Sequence, residues 1–305
     1  MECQSQITAA LKELTRITGI ELNLARHSPE DEELALNQIR CLITAYKEKY
    51  NKTQFLLSLM TEPLPAYDIN ERARRLHISP DEKRVLYLLD FPRGLDETIT
   101  EILKHLFPSQ TRTYLLPVTE TALVILKPLG SSDSEADVLQ SAHAIVDTLN
   151  MEALTSVQIA YSSIFFTLND LANAFRETGL ALKVGKLFTV GQNIFAYNKL
   201  GIGRLIYRLP KDLCHNFLSE VFGDEIPEHL DSELMTVIER FLQNNLNIAE
   251  TARQLHMHRN TLIYRLEQIE KQTGLDLRHF EDAMTFKIAV MVLNYLQSER
   301  NLHYE

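Results

Sequence analysis

Asn247-Ile-Ala-Glu-Thr-Ala-Arg-Gln-Leu-His-Met-His-Arg-Asn-Thr-Leu-Ile-Tyr-Arg-Leu-Glu-Gln-Ile269 is the stretch that decides how this chain is read. Asn247 is an N-cap residue, and Glu250 three positions on gives a capping-box-like helix start. Ile248, Ala252 and Leu255 then fall on one face of a short helix. Ala252 is small enough for another helix to cross close over it. His256-Met257-His258 makes a three-residue turn, with His256 at a place where Gly is common. A second helix starts near Arg259, with Leu262, Leu266 and Ile269 on its apolar stripe and Gly274 as its C′ residue. Two short helices across a tight turn, with a helix before them to pack against, predict a helix-turn-helix.

The charge pattern points the same way. Between Thr251 and Arg265 there is no Asp or Glu, whereas Arg253, Arg259 and Arg265 are cationic and His256 and His258 add donors. At about 100° per residue, the face opposite Leu262 carries Asn260, Tyr264 and Gln268, with Thr261 adjacent. Asn and Gln can bond an adenine bidentately, and Arg can take a guanine or a phosphate. The predicted contacts to double-stranded DNA are therefore Arg253, His258, Arg259, Asn260, Thr261, Tyr264, Arg265 and Gln268. Asn260, Tyr264 and Gln268 are assigned to bases, and the three arginines chiefly to phosphates. The bland alternative is a helical hairpin with a solvated polar face. Caps, small residue, turn length and acid-free surface together favour the helix-turn-helix.

Before this motif, Leu234, Val237, Ile238, Phe241 and Leu242 follow the spacing of an amphipathic helix. After it, Ala283 to Leu296 is apolar nearly all round. Residues 191–230 hold Gly191, Gly201, Gly203, Pro210, Gly223 and Pro227 and read as the most linker-like part of the chain. Upstream the pattern alternates. Strands are expected at Val85–Leu89, Thr113–Val118, Ala122–Leu126 and Val157–Tyr161, and helices at Leu95–Phe107, Asp133–Leu149 and Leu168–Lys186. The order β-α-β-β-α-β-α predicts an α+β sandwich with a mostly antiparallel sheet. At the N-terminal end, Leu11, Leu14 and Ile17 sit at helical spacing, Ile20–Leu24 alternates like a strand, and Ser28-Pro29-Glu30-Asp31 opens a helix running on to Met60. The division expected is a helical segment at 1–66, an α+β domain at 67–210, a linker at 211–230 and an all-α helix-turn-helix domain at 231–305.

Composition sets bounds. The chain has 305 residues, 45% of them hydrophobic, which is ample for a packed core. Its net charge of −10 means that nucleic-acid binding must rest on local charge. Cys3, Cys41 and Cys214 form no C-x-x-C pair and read as reduced thiols. The polar start carries no signal-peptide pattern, and the longest apolar runs are too short for a bilayer, so no membrane span and a cytoplasmic location are expected. The histidines show no metal-ligand spacing, and neither a phosphate-binding glycine motif nor a nucleophile elbow occurs. The reading therefore expects no cofactor, no metal and no enzyme.

The strings N-I-A-E-T-A-R-Q-L, H-R-N-T-L-I-Y-R-L-E-Q-I-E and T-G-L-D-L-R-H-F-E-D-A resemble the C-terminal helix-turn-helix of the PucR/CdaR (purine catabolism and sugar diacid) regulators. Segments 83–89, 111–128, 157–162 and 168–208 are similar to that family's degenerate GGDEF-like domain. In an active cyclase the hairpin carries a Gly-Gly-Asp/Glu-Glu-Phe signature; here it reads Pro117-Val-Thr-Glu-Thr-Ala-Leu123. Asp90 stands where a cyclase has a metal-binding Asp, without the second acidic group. The resemblance implies a DNA-binding transcription regulator, commonly a homodimer, that answers to a small-molecule effector. The alternative it leaves is a nucleotide-binding or partner-binding signalling protein built on a cyclase-like fold. Residues 1–50 are shorter than the family's full sensor domain.

Overall fold

The structure is a computed structural model; it describes residues 2–18, 29–62, 64–108, 111–189, 191–223, 226–227 and 230–301. The chain divides into two compact units, Met1–Leu182 with Asn193–Asn198, and Lys183–Gln192 with Lys199–Glu305.

The first unit opens with α1 (Glu2–Thr18) and α2 (Pro29–Thr61). They pack through Ile7, Ala10 and Leu14 on one side and Leu36, Ile39 and Ile43 on the other. The strand expected at Ile20–Leu24 lies outside the described residues. A short helix, α3 (Ala66–Arg75), follows Pro65, which is pre-set for a helix start. Next come β1 (Asp81–Asp90), α4 (Glu97–Leu106), β2 (Tyr114–Pro117), β3 (Ala122–Pro128), α5 (Glu135–Glu152), β4 (Gln158–Tyr161), β5 (Phe165–Thr167), α6 (Leu171–Phe188) and β6 (Ile194–Ala196). The predicted β-α-β-β-α-β-α order is present.

The sheet runs β2-β3-β1-β4-β6, with β5 also on β1. All pairings are antiparallel except β4 with β6. β1 is therefore central. Its six consecutive residues Arg84 through Leu89 are all buried, the mark of a strand covered on both faces. Val85, Tyr87 and Leu89 meet Ile99 and Leu103 of α4 and Val138, Ala142, Ile145 and Leu149 of α5. Arg84 is a charge inside this layer. It is tolerated because the Glu82 carboxylate lies 2.8 Å away and the Glu82 and Ser79 carbonyls accept from its guanidinium.

The second unit contains the end of α6, then α7 (Gly203–Ile206), α8 (Lys211–Phe222), α9 (Ser232–Gln243), α10 (Ile248–Gln254), α11 (Arg259–Thr273) and α12 (Phe280–Asn301). The segment expected as linker is thus largely helical. α8 buries Cys214, Leu218 and Val221 against Ala289, Val292, Leu293 and Leu296 of α12. Not every glycine in this segment marks a loop. Gly201 does turn with φ +55°, but Gly203 begins α7, where a Cβ would come within 2.8 Å of the Phe188 ring. α12 is covered by its own unit, as a helix apolar on most sides requires.

Candidate nucleic-acid interface

α9, α10 and α11 build the motif on a common core. Val237, Ile238 and Phe241 of α9 meet Ala252 of α10 and Leu262, Leu266 and Ile269 of α11. Asp231 caps α9 by accepting the Leu234 N–H at 2.7 Å, and Asn247 caps α10 by accepting the Glu250 N–H at 3.0 Å. Only half of the expected capping box forms. The Glu250 carboxylate turns outward instead to Arg253 at 2.5 Å and Gln254 at 2.7 Å. These bonds hold Glu250 below its usual carboxylate range, the Arg253 bond contributing most.

Thr251 was not singled out by the sequence, yet it is fully buried. Its Oγ1 donates to the Asn247 carbonyl at 2.8 Å and accepts from Asn244 at 3.2 Å, locking α10 to the end of α9. A hydroxyl at i+4 from a cap is the signal that could have revealed it. The turn between α10 and α11 is closed by His256 at φ +51°, the left-handed geometry that Gly ordinarily supplies. His258 caps α11, its Nδ1 accepting the Asn260 N–H at 3.2 Å. Its assigned role as a DNA donor is therefore confined to its other ring nitrogen.

The polar face of α11 lies as its periodicity demands. Arg253, His258, Arg259, Asn260, Thr261, Tyr264 and Gln268 are exposed, while Leu262, Leu266 and Ile269 are buried. Gln268 donates to the Tyr264 hydroxyl at 3.3 Å, one turn apart. Arg259 lines a surface notch with Asn245, Asn247 and Ala249 at the start of α10.

Arg265 departs from the expectation. It is only partly exposed, and Glu233 of α9 lies 3.1 Å from its guanidinium. Arg253 is also paired, with Glu250 at 2.5 Å. The acid-free window of sequence is therefore not acid-free in space, because Glu250 just before it and Glu233 of α9 lie against two of its three arginines. Arg259 has no ion pair among the described residues.

Past Gly274, at φ +74°, the T-G-L-D-L-R-H string joins α11 to α12. Asp276 accepts from the Arg278 backbone N–H at 3.0 Å and from its side chain at 2.6 Å, and Arg278 also reaches Glu270 at 3.1 Å. These bonds tie the string to itself and to the C-terminal part of α11.

In the first unit the β2–β3 hairpin turns through Val118–Thr121. Thr119 and Thr121 bond each other there, and Leu95 donates to the Glu120 carbonyl. Among the described residues, no three His, Cys, Asp or Glu side chains gather in a metal-binding group. Among the described residues, no helix is long and apolar enough to cross a membrane.

The sequence matches two domain families: the PucR C-terminal helix-turn-helix domain over residues 234–292, and the GGDEF-like domain over residues 61–184. It is 23% identical to the carbohydrate diacid regulator of Escherichia coli, over 90% of this chain and 75% of that one. It is 29% identical to the purine catabolism regulatory protein of Bacillus subtilis, over 52% of this chain but only 30% of that protein's length. A DNA-binding transcriptional activator of Bacillus subtilis, AdeR, is 24% identical over 64% of this chain and 48% of its own. With a GGDEF-like domain followed by this helix-turn-helix, the chain belongs to the PucR/CdaR family of DNA-binding transcription regulators.

Proposed function

We propose that α11 is the recognition helix, entering the major groove with Asn260, Tyr264 and Gln268 toward base edges. Arg259, Thr261 and the free ring nitrogen of His258 take phosphates beside it. The observation that carries this reading is the exposed polar face of α11, set directly opposite the buried Leu262, Leu266 and Ile269. Arg253 and Arg265 reach phosphate by exchanging Glu250 and Glu233 for DNA. The chain works as a homodimer on paired half-sites about one helical turn apart, since a single helix-turn-helix reads about half a site. α2 is the preferred dimer helix: it exposes Leu34 and Leu42 outside the face that meets α1. α12, the other helix with a broad apolar surface, is occupied within its own unit. The regulator answers to a small-molecule effector in the cytoplasm, and it needs no cofactor or metal.

The GGDEF-like domain acts without catalysis. The turn Val118-Thr-Glu-Thr121 offers neither glycines for close nucleotide approach nor a paired acidic motif, and Asp90 alone does not make a two-metal site. Genome-wide mapping of bound sites tests the function, and its result should be a shared two-half-site sequence near a small set of genes. Scattered binding without a common sequence would refute the recognition-helix assignment. Incubation with GTP and Mg²⁺ should give no cyclic dinucleotide; a product lost in Asp90→Ala would overturn the non-catalytic reading.

A further inference from the structure

Within the second unit lies a cleft that the polar face of α11 does not use. It encloses about 510 Å³, inside the range of small-molecule sites. α9 contributes Ile238 and Leu242 to its apolar floor, α12 contributes Phe286 and Val290, and Phe188 and Leu200 form a third wall. Ile238 and Phe286 are almost fully buried, so the floor belongs to a packed core. The rim is charged and two-signed. Glu239 stands on α9 and Lys287 on α12, both exposed and both lining the cleft, with Gln243 and Asn294 alongside. Neither Glu239 nor Lys287 forms an ion pair among the described residues.

Two opposite charges, carried by different helices that line one cleft with an apolar floor and without an ion pair among the described residues, complement a molecule that carries both charges on an apolar frame. A plain acid would leave Glu239 unanswered, and a plain amine would leave Lys287 so. We infer that this cleft binds a small zwitterion with an apolar side group, of the class of free amino acids, its ammonium at Glu239 and its carboxylate at Lys287. The bound molecule ties α9 to α12. Because Glu233, near the start of α9, holds Arg265 of α11, the tie bears on an arginine of the DNA-reading helix. This regulatory half rests on the recognition-helix reading; the binding half does not.

The test uses the full chain without DNA first. Leucine, methionine and phenylalanine serve as probes in thermal melts and titration calorimetry, each beside its deaminated acid and its decarboxylated amine. At least one zwitterion should bind and raise the melting temperature, with its acid and amine analogues about tenfold weaker, the worth of one charge-assisted hydrogen bond. Glu239→Gln and Lys287→Met should each weaken the zwitterion about tenfold while leaving the unliganded melting temperature unchanged. No binding by any probe at about 10 mM overturns the proposal, and so does equal binding by an acid or amine analogue or undiminished binding by both variants. Operator affinity is then measured with and without the probe. An unchanged affinity refutes the regulatory half alone, and a chain that binds the zwitterion but no operator refutes the DNA reading alone.

Discussion

At the scale of the residue, the proposed interface separates into exposed side chains with no ion pair among the described residues and side chains already engaged. Asn260 and Arg259 are exposed, and Arg259 makes no ion pair among the described residues. Asn260→Ala should cost about 1–3 kcal/mol of operator affinity and relax preference at one base pair. Arg259→Ala should weaken binding to all sequences and lower the salt slope by about one unit. A salt titration of both variants checks this, and unchanged affinity in both would remove the assignment. Glu233→Gln is predicted to act oppositely: freeing Arg265 from its 3.1 Å partner should tighten binding at low salt. pH has a defined sign here as well. The Arg278 side chain, first among its partners, holds Asp276 below its usual 3.8, and Arg253 holds Glu250 below its usual 4.5. A lowered folded-state value means that the fold favours the carboxylate. The associated stability is present at neutral pH and is lost as pH falls through and below about 4.5. Thermal melts from neutral to acid pH should show this decline, and Arg278→Ala should flatten it.

At the scale of the element, stability resides in caps, turns and one shared core. Leu266 is buried between α9 and α11, so Leu266→Ala should cost about 2–5 kcal/mol in a denaturant titration. Gly274 ends α11 at φ +74°, and Gly274→Ala should cost about 1 kcal/mol for placing a Cβ in the left-handed region. His256 poses the inverse case. It sits at φ +51° in the turn, so His256→Gly should be tolerated and leave stability equal or raised. A clear loss of stability there would mean that the imidazole is itself a structural contact. The helices of the motif were legible because their signals are local. Asn247, the stripe Leu262–Leu266–Ile269 and Gly274 each act within one or two turns of backbone. The second half of the capping box at Glu250 was not legible, since Arg253 and Gln254 compete for the same carboxylate. Nor was α8, whose apolar face is short and is recognised only by what α12 presents to it.

At the scale of the whole molecule, the proposed reading has an acidic chain bind DNA by concentrating exposed polar and cationic groups on one helix. Reading a full operator then asks for two such helices. Sedimentation should find a dimer at micromolar concentration, and Leu34→Asp with Leu42→Asp should yield monomers that still bind a half-site weakly. A full-length monomer that remains one on a two-half-site operator would sink the dimer. The sequence by itself determined the order of elements in the α+β domain, the helix-turn-helix, and the polar face of α11, because turn chemistry and the periods of strand and helix are short-range. Only the tertiary structure decided that Arg84 is a buried cation answered by Glu82, that residues 194–196 return to the sheet beside β4, and that α12 is spent on its own unit. It also decided that Arg265 faces a carboxylate 32 positions away. Burial and ion pairing depend on which surfaces meet in space, and no local pattern in a linear chain carries that information.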